Sequence, residues 1–386
     1  MGLSLPTSAG DTRTLGVIVN PIAGMGGRVG LKGTDGRERV RRAIELDAPA
    51  TAAARAGRAL SKVVPLRDRL SVCAAAGPMG SAVTEALCFD TAVVGLRRAG
   101  RTTSAEDTRV AAAEMAARGV DLLLFAGGDG TARDIYDATA GEVPVLGVPA
   151  GVKMYSGAFA RNPEAAGDAT LAYLRERRAA RRLRPAEVVD LDEDSDWRGR
   201  TLRIYGRFLV PSGRSHVLGT KAQRSSATDE TLLEALSAQI VEEMEPERLY
   251  ILGPGTTIGR IRRRLGMEDR LLCVDAVCDS NPVGLDLGEA ALLELLAEAP
   301  AATVLAGVIG GQGSLFGRGN QQISAAVLKR VGADNVTVVC GEGKLLDLDP
   351  MQLHVDTGDA GVDQALCGYR RVRVAPQRSV VVEVTT

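Results

Sequence analysis

The chain has 386 residues, enough for two domains, and it is 45% hydrophobic and 25% charged, as in ordinary globular proteins. A formal net charge of -1 and an aromatic content of 3% argue against nucleic acid or an anionic membrane surface as a partner. No apolar run reaches the ~18 residues of a transmembrane helix. Because Met1–Thr14 also lacks an apolar signal-peptide segment, we expect a cytoplasmic protein without membrane contact.

The first part of the chain alternates short apolar runs with amphipathic stretches, which predicts a parallel sheet covered by helices on both faces. The predicted strands are Leu15–Val19, Leu70–Ala75, Thr91–Gly95, Leu122–Ala126 and Val145–Val148. The predicted helices are Arg37–Leu46, Ser81–Leu87, Ala105–Arg118 and Thr131–Ala138. Sheets of this kind bind ligands at the carboxyl ends of their strands.

The pattern changes after an arginine-rich stretch, Arg175–Arg184. We interpret this stretch as a solvated helix face that leads to a domain boundary, with a basic patch as the alternative. Val188–Leu191 and Thr201–Val210 then alternate apolar and polar residues, which predicts antiparallel strands.

From Thr231 the pattern is α/β again. It predicts a helix at Leu232–Met244, buried strands at Leu271–Val277, Thr303–Ile309 and Val336–Cys340, and a final strand pair at Tyr369–Val374 and Val380–Val384. The predicted fold is therefore α/β, with a Rossmann-like parallel-sheet domain over residues 1–185 and a mixed α/β domain over residues 186–386. We expect the first domain to bind nucleotide phosphates, and the second to bind the acceptor and form a homo-oligomer.

The most informative motif is a predicted strand that runs into the glycine turn Gly127–Thr131, with a helix behind it. Glycines permit a tight turn and a close approach to a ligand, and the helix N-terminus offers N–H groups to phosphate. Asp129 places a carboxylate among them, as a phosphotransferase needs in order to orient an attacking hydroxyl; the alternative is a helix cap. We predict that Asp129 is catalytic and that phosphate is bound by Gly127, Gly128, Gly130 and Thr131.

Two further glycine-containing turns follow predicted strands of the same sheet. Asn20 begins the first of them, which contains Gly24, and its amide is a candidate phosphate donor in a mobile loop. The second contains Gly151 and Lys153, whose ammonium group is a candidate partner for phosphate. Because the carboxyl ends of parallel strands meet at one edge, we expect these turns to lie beside Asp129. Structural connections without a ligand are the alternative.

The second half contains comparable turns. Gly253, Gly255, Thr256 and Thr257 repeat the phosphate-loop chemistry before another predicted helix. Two later turns combine glycines with amides, and we select Gly311 and Asn320 from them as candidate nucleotide-binding residues. Amides recognise nucleobase or ribose edges through paired donors and acceptors. A structural loop is again the alternative.

Together these motifs resemble the NAD kinase and diacylglycerol kinase-like superfamily. The resemblance rests first on N-P-I-A-G at 20–24 and G-G-D-G-T at 127–131. The blocks G-V-P-A-G-V-K, G-P-G-T-T and G-G-Q-G…G-R-G-N-Q-Q resemble its predicted ATP-NAD kinase branch, which includes the acetoin-operon X-type proteins. The resemblance covers nearly the whole chain.

The resemblance implies an enzyme that phosphorylates NAD at the adenosine 2′-hydroxyl to give NADP, with ATP or polyphosphate as donor and Mg²⁺ as the metal. By motif match, Asp129 would face that hydroxyl. The chain departs from the family pattern because it has neither a clear Asn-Glu motif nor a T-G-S-T-A-Y block, and because its second half is more α/β than β. Two alternatives therefore stay open: a kinase of another alcohol, such as a lipid or polyol, and a non-catalytic sensor of NAD(P) or ATP.

With only His216 and His354, the chain is unsuited to a histidine-rich metal site or a histidine-based triad. We therefore expect a carboxylate as any general base, and the metal ligands stay undetermined. The six cysteines form no C-x-x-C pair, which indicates reduced thiols in a reducing compartment.

Overall fold

A computed structural model describes residues 13–34, 36–95, 103–152, 154–191, 202–212, 227–268, 270–310 and 313–386. The chain divides into two compact units. The first comprises Met1–Ala23, Ala50–Ala150 and Tyr155–Leu218, and the second comprises Gly24–Pro49, Gly151–Met154 and Gly219–Thr386. Each unit is built on its own sheet.

The first unit contains a five-stranded parallel sheet, as the sequence predicts. Its strands are β1 (Arg13–Val19), β2 (Leu70–Ala75), β3 (Thr91–Val94), β4 (Leu122–Gly127) and β5 (Val145–Pro149), in the order β3-β2-β1-β4-β5. Every residue of β4 is buried, which explains its continuous apolar sequence. The strand order reverses between β1 and β4, and ligands of such sheets bind at this kind of switch point.

Helices cover this sheet: α2 (Ala52–Val63), α3 (Ser81–Ala86), α4 (Ala105–Ala117), α5 (Asp129–Thr139) and α6 (Pro163–Arg175), while α1 (Arg37–Glu45) falls in the second unit. The sequence-based prediction omitted α2 and α6. These two helices pack very closely, because a Cβ placed on Gly167 of α6 would lie 2.2 Å from the carbonyl oxygen of Ala59 in α2. Small residues thus bring the two backbones together.

A hairpin completes the first unit. Strands β6 (Leu183–Leu191) and β7 (Leu202–Pro211) pair antiparallel, which confirms the predicted pairing. The interpretation of Arg175–Arg184 as a helix face was wrong, since α6 ends at Arg175 and β6 begins at Leu183. The physical reason is that Arg181 is buried: its guanidinium lies 2.7 Å from the Asp121 carboxylate and 4.8 Å from the ring centre of Tyr173.

The second unit is built on a nine-stranded mixed sheet in the order β10-β9-β8-β11-β13-β15-β16-β14-β12. Its strands are β8 (Arg248–Leu252), β9 (Asp275–Cys278), β10 (Asn281–Gly284), β11 (Ala301–Gly307), β12 (Ser314–Phe316), β13 (Val336–Val339), β14 (Gln352–Val355), β15 (Gly368–Ala375) and β16 (Arg378–Thr385). Strands β8, β11, β13 and β15 run parallel, and β15 and β16 form the predicted final antiparallel pair.

Besides α1, the helices of this unit are α7 (Ala227–Glu242), α8 (Thr256–Arg264), α9 (Glu289–Glu298), α10 (Ala325–Val331), α11 (Glu342–Leu346) and α12 (Ala360–Leu366). The second half is therefore α/β, as its sequence pattern indicated. Across the described ranges, no helix has the length and hydropathy needed to span a bilayer.

The division into units differs from the predicted boundary after residue 185. The hairpin belongs with the first unit, because β6 pairs with β7 from Leu183 to Leu191. Residues 24–49 belong with the second, where Lys32 lies 3.2 Å from Asp286 and the Glu289 N–H donates to the Arg28 carbonyl at 2.8 Å. The predicted boundary after residue 185 lies where the sequence pattern changes from α/β to a hairpin. The compact units of the structure divide at other positions.

Candidate active site

The first unit carries three predicted segments at the carboxyl edge of its sheet. The Asn20 N–H, just after β1, donates to the Ala126 carbonyl of β4 at 2.9 Å. The Ala150 N–H, just after β5, donates to the Gly127 carbonyl at 3.0 Å. Since β1, β4 and β5 are adjacent and parallel, the turns that follow them meet at one edge. This confirms the predicted arrangement for the segments in this unit.

The Asn20 side chain connects two of these turns. Its Nδ2 group donates to the Thr131 hydroxyl at 2.9 Å, and its Oδ1 accepts from the Ile22 N–H at 3.3 Å. The prediction had this amide donate to phosphate. The structure instead shows it holding the first turn against the start of α5, which is a positioning role.

Glycine is required at one position of the Gly127–Thr131 turn because of close packing. A Cβ placed on Gly127 would lie 2.5 Å from the Thr131 hydroxyl oxygen. Gly128 precedes α5 with φ -123° and ψ -166°, an extended conformation open to other residues. Gly130 and Thr131 lie in the first turn of α5, where backbone N–H groups have no partner within the helix. These N–H groups and the helix dipole suit an anion.

Asp129 is the first residue of α5, and the residue is only 9% exposed. Its Oδ2 accepts from the Tyr155 N–H at 2.6 Å and its Oδ1 from the Ser156 N–H at 2.9 Å. The carboxylate is therefore held in one orientation by the backbone of a segment 26 residues further along. These two bonds fix the direction of the carboxylate.

Ser156 extends this arrangement to the hairpin. It is fully buried, and its hydroxyl oxygen accepts from the Val189 N–H of β6 at 3.0 Å. A chain of hydrogen bonds thus runs from β6 through Ser156 to Asp129. The hairpin has a structural connection to the candidate catalytic carboxylate that its sequence does not indicate.

Arg161 is a cation that the sequence analysis did not select. The preceding residues lie beside β5, where the Gly147 N–H donates to Ala158 and the Ala160 N–H donates to Gly147. This parallel pairing carries Arg161 toward the carboxyl edge of the sheet. Its guanidinium is half-buried with no bonded partner in the described chain, its Nε is fully buried, and burial lowers its pKa. A cation without a counter-charge at this edge suits a phosphate.

The segment that contains Gly24 belongs to the second unit. Gly24 has a positive φ of 79°, and its carbonyl accepts from the Gly27 N–H at 3.0 Å. Further along, burial alone would lower the pKa of Lys32, but Cys273 and Asp286 raise it overall. The predicted mobile phosphate loop is therefore anchored at both its backbone and its side chains.

The turn Gly253–Thr257 joins β8 to α8, as predicted. Gly255 precedes α8 with φ 107°, a conformation that favours glycine, and no atom lies within 4 Å of a Cβ built there. The start of the turn is fixed by the fully buried Arg262, which donates to the carbonyls of Leu252 at 3.0 Å and Gly253 at 3.1 Å. The turn leaves open space at Gly255, and Thr256 beside it is exposed.

The amide of Asn320 has a different role from the predicted one. The residue is 1% exposed, its Nδ2 donates to the Leu315 carbonyl at 2.7 Å and its Oδ1 accepts from the Gly317 N–H at 3.1 Å. The two ends of the amide are thus bonded within its own loop. The structure favours the alternative reading of Asn320 as a residue that holds the loop together.

Three predicted residues remain. Gly151 lies in the second unit, and its carbonyl accepts from the Gln321 Nε2 group at 3.2 Å. Lys153 and Gly311 lie outside the residues that the structure describes.

Comparison with known families explains the geometry of the first unit. Residues 15–178 match the family model of the ATP-NAD kinase N-terminal domain. This part of the chain is thus similar to the N-terminal domain of ATP-NAD kinases. The matched segment includes β1 to β5, the glycine turn with Asp129, and α6. No curated protein matches the chain.

The candidate site offers little for a protein-bound metal. The described ranges contain no group of three or more His, Cys, Asp or Glu side chains placed to hold a metal ion. Both oxygens of Asp129 already accept backbone N–H groups. The residues present therefore do not form a dedicated Mg²⁺ site. Mg²⁺ commonly binds substrate phosphates with only one or two carboxylates, so a nucleotide-borne ion needs no such site.

The structure thus brings Asn20, Asp129 and Thr131 of the first unit together at the switch point of its sheet. It adds Ser156 and Arg161, which the sequence analysis missed. Ser156 acts through its backbone N–H, which no side-chain pattern can reveal. Arg161 stands directly before Asn162-Pro163, the start of α6, and its distinguishing feature is partial burial without a counter-charge among the described residues.

Proposed function

We propose that this protein phosphorylates NAD at the adenosine 2′-hydroxyl to give NADP. The observation that carries the proposal is Asp129, a buried carboxylate at the start of α5 within the segment that matches ATP-NAD kinases. Its fixed direction suits a group that must orient an attacking hydroxyl, and such orientation is a large part of catalysis by kinases.

In this mechanism Asp129 accepts a hydrogen bond from the acceptor hydroxyl and directs its oxygen toward the donor phosphate. The N–H groups of Gly130 and Thr131 stabilise negative charge on the transferring group. Arg161 neutralises a further phosphate charge. Mg²⁺, bound by the phosphates of the nucleotide, would share that charge. In the second unit, the Gly253–Thr257 turn is a further candidate for binding phosphate.

The donor in this proposal is ATP, with polyphosphate as the second choice, because N–H groups and a guanidinium recognise phosphate rather than a base. The protein would act in the cytoplasm on small-molecule nucleotides, as a homo-oligomer. The six cysteines are free in the structure, which is consistent with a reducing compartment.

The test is a phosphorylation assay with the full chain. The purified protein is incubated with Mg²⁺, ATP or polyphosphate, and a panel of dinucleotides and simple alcohols, and NADP is sought by mass. We expect NADP from NAD, and we expect Asp129→Asn to lower kcat by ~10²–10⁴-fold. The matched control is Asp137→Asn, an exposed carboxylate on the same helix that accepts from Tyr205. Near-normal turnover by the Asp129 variant would refute the catalytic role.

A second candidate function is a non-catalytic sensor of NAD(P) or ATP. It is favoured by the same two hydrogen bonds, since a carboxylate that serves only to hold Tyr155 and Ser156 would look like this. Calorimetric titration, which measures binding, and the product assay above, which measures turnover, together separate the two functions. A sensor binds NAD or NADP with no phosphorylated product from any acceptor, whereas a kinase of another alcohol gives a product with a different member of the panel.

A further inference from the structure

Two glutamine side chains after β12 carry oxygens that the protein does not use. Gln322 is 4% exposed, and its Oε1 is buried without a hydrogen-bond partner. The Oε1 of the neighbouring Gln321 is also buried and unpartnered. Buried polar groups are bonded in the great majority of cases, so two adjacent exceptions in one loop require an explanation.

The loop does not need these oxygens for its own conformation. Asn320 fixes it through the Leu315 carbonyl and the Gly317 N–H. The amide nitrogen of Gln321 donates to Gly151, which sets the direction of that side chain. The Oε1 atom of Gln322, in contrast, has no hydrogen-bond partner within the described chain. An acceptor is therefore unused in a side chain that is almost completely buried, and the same amide group carries a donor beside it.

The position of the loop within the second unit also indicates a ligand. A Cβ built on Gly319 would lie 3.3 Å from the side chain of Ile309, just after β11, and one built on Gly253 would lie 3.6 Å from Ile323. The loop thus lies at the carboxyl ends of the parallel strands β8 and β11, where α/β sheets bind ligands. Gly27 packs against Gln321 from another segment of the same unit, since a Cβ there would lie 3.0 Å from it.

We propose that Gln321 and Gln322 recognise a planar group that carries a hydrogen-bond donor beside an acceptor. A carboxamide presents the complementary pair and bonds such an edge in two places, as glutamine does with the N6 and N7 atoms of adenine. The amino edge of adenine and the carboxamide of nicotinamide share this chemistry. The inference deepens the proposed function, because it assigns a base-recognition site for ATP or NAD to the second unit.

The test is calorimetric binding to the full chain with four ligands. ATP and ITP differ at the amino edge of the purine, and NAD and nicotinic acid adenine dinucleotide differ at the carboxamide. We expect the wild type to prefer one ligand of one pair, and Gln322→Leu to weaken that ligand by about tenfold and to abolish the preference. Gln364→Leu, at an exposed position of α12, is the matched control and should change neither.

Thermal unfolding provides a second measurement that a purely structural role would not reproduce. Because Gln322→Leu removes a buried oxygen without a partner, we expect Tm to stay the same or rise while binding of the preferred ligand weakens. If that variant does not fold, Gln322→Glu keeps the shape and removes the donor, and the preference should again disappear. Unchanged discrimination in a folded variant would overturn the inference.

The inference and the proposed function can fail separately. A protein that loses base discrimination in Gln322→Leu but makes no NADP retains the site and refutes only the kinase activity. A protein that makes NADP with unchanged KM values in Gln322→Leu retains the activity and refutes only the site.

Discussion

Arg161 is a candidate phosphate ligand that only the structure reveals. Burying a guanidinium without a counter-charge costs free energy, and burial lowers its pKa accordingly. Residues with such perturbed pKa values are common at sites that bind a ligand of opposite charge. A phosphate bound at the carboxyl edge of the first sheet would provide the negative charge that neutralises Arg161.

We therefore predict that Arg161→Met raises KM for ATP by about tenfold, the loss of one charge-assisted hydrogen bond, with little effect on KM for the acceptor. Removing the uncompensated charge should leave Tm unchanged or higher. Steady-state kinetics with each substrate varied in turn, together with thermal unfolding, measures both effects.

The matched control is Arg69→Met, because Arg69 is exposed and lies directly before β2, at the amino edge of the same sheet. Equal KM changes in the two arginine variants would show that Arg161 contributes only to the general charge of the protein.

Cys340 gives a prediction about alkaline stability. Burial raises the pKa of this thiol from 9.0 to about 12, while Lys344 lowers it and Asp229 raises it. The folded state favours the protonated thiol, so this contribution to stability is complete below pH 9 and is lost as the pH rises from 9 toward 12. In that window the loss is about 1.4 kcal/mol per pH unit.

Burial lowers the pKa of the neighbouring Lys344, so the titration of this lysine changes stability in the opposite sense. The measurement is thus a comparison. Denaturant unfolding from pH 8 to 10.5 should show the stability of the wild type falling more steeply than that of Cys340→Ala. Cys88→Ala, which removes an exposed thiol, should follow the wild type. Parallel curves for all three proteins would contradict the prediction.

At the scale of elements, the junction between β4 and α5 determines the geometry of the site. Gly127→Ala would place its Cβ against Thr131 and displace the hydroxyl that Asn20 holds. We expect a loss of about 1–3 kcal/mol in unfolding free energy, as for other overpacked positions, and a smaller thermal shift with ATP.

Gly128→Ala is the matched variant, since its backbone is already in a region open to alanine. We expect it to cost much less than Gly127→Ala. The reverse order of the two variants in denaturant unfolding would show that the second glycine, not the first, is the one under steric constraint.

The elements that the sequence predicted well are those with one strong local signal. Strand β4 is apolar throughout because both of its faces are buried, β2 is apolar except at Ser71, and the bounds of both were predicted to within a residue. Helix α2 was missed because its buried face is alanine, which contrasts little with the rest of the segment. Its stability comes from close contact with α6, which is a tertiary effect.

The same distinction between local sequence signals and tertiary contacts applies to the residues of the candidate site. Asp129 and the glycines around it were found because glycine and carboxylate in one turn form a local pattern. The roles of Asn20 and Asn320 were not predicted correctly. The sequence does not distinguish an asparagine that hydrogen-bonds Thr131 or its own loop from one that binds a ligand. The sequence likewise predicts an exposed Arg181, because its ion pair with Asp121 is visible only in the structure.

At the scale of the whole molecule, the chain passes between the two units repeatedly: it leaves the first unit after Ala23 and Ala150 and returns to it at Ala50 and Tyr155. We predict that the fragment 1–185 does not unfold cooperatively, because it lacks β7, the strand with which β6 pairs. It also lacks the partners of Lys32 and Arg28.

Circular dichroism melts and limited proteolysis test this. The full chain should show a sigmoidal transition and resist protease. The fragment 1–218, which retains the hairpin, is the comparison and should be more structured than 1–185. A sharp, reversible melt of 1–185 would show that the predicted boundary marks an independently folding domain after all.

The repeated passage between units also bears on how such a protein can change during evolution. A domain encoded by one uninterrupted stretch of gene can be fused, duplicated or exchanged in a single recombination event. Neither unit here is encoded that way, since each is assembled from three separate stretches. Neither unit can therefore be exchanged in a single such event, and we expect new substrate specificity to arise by substitution within loops, such as the proposed recognition loop 317–322.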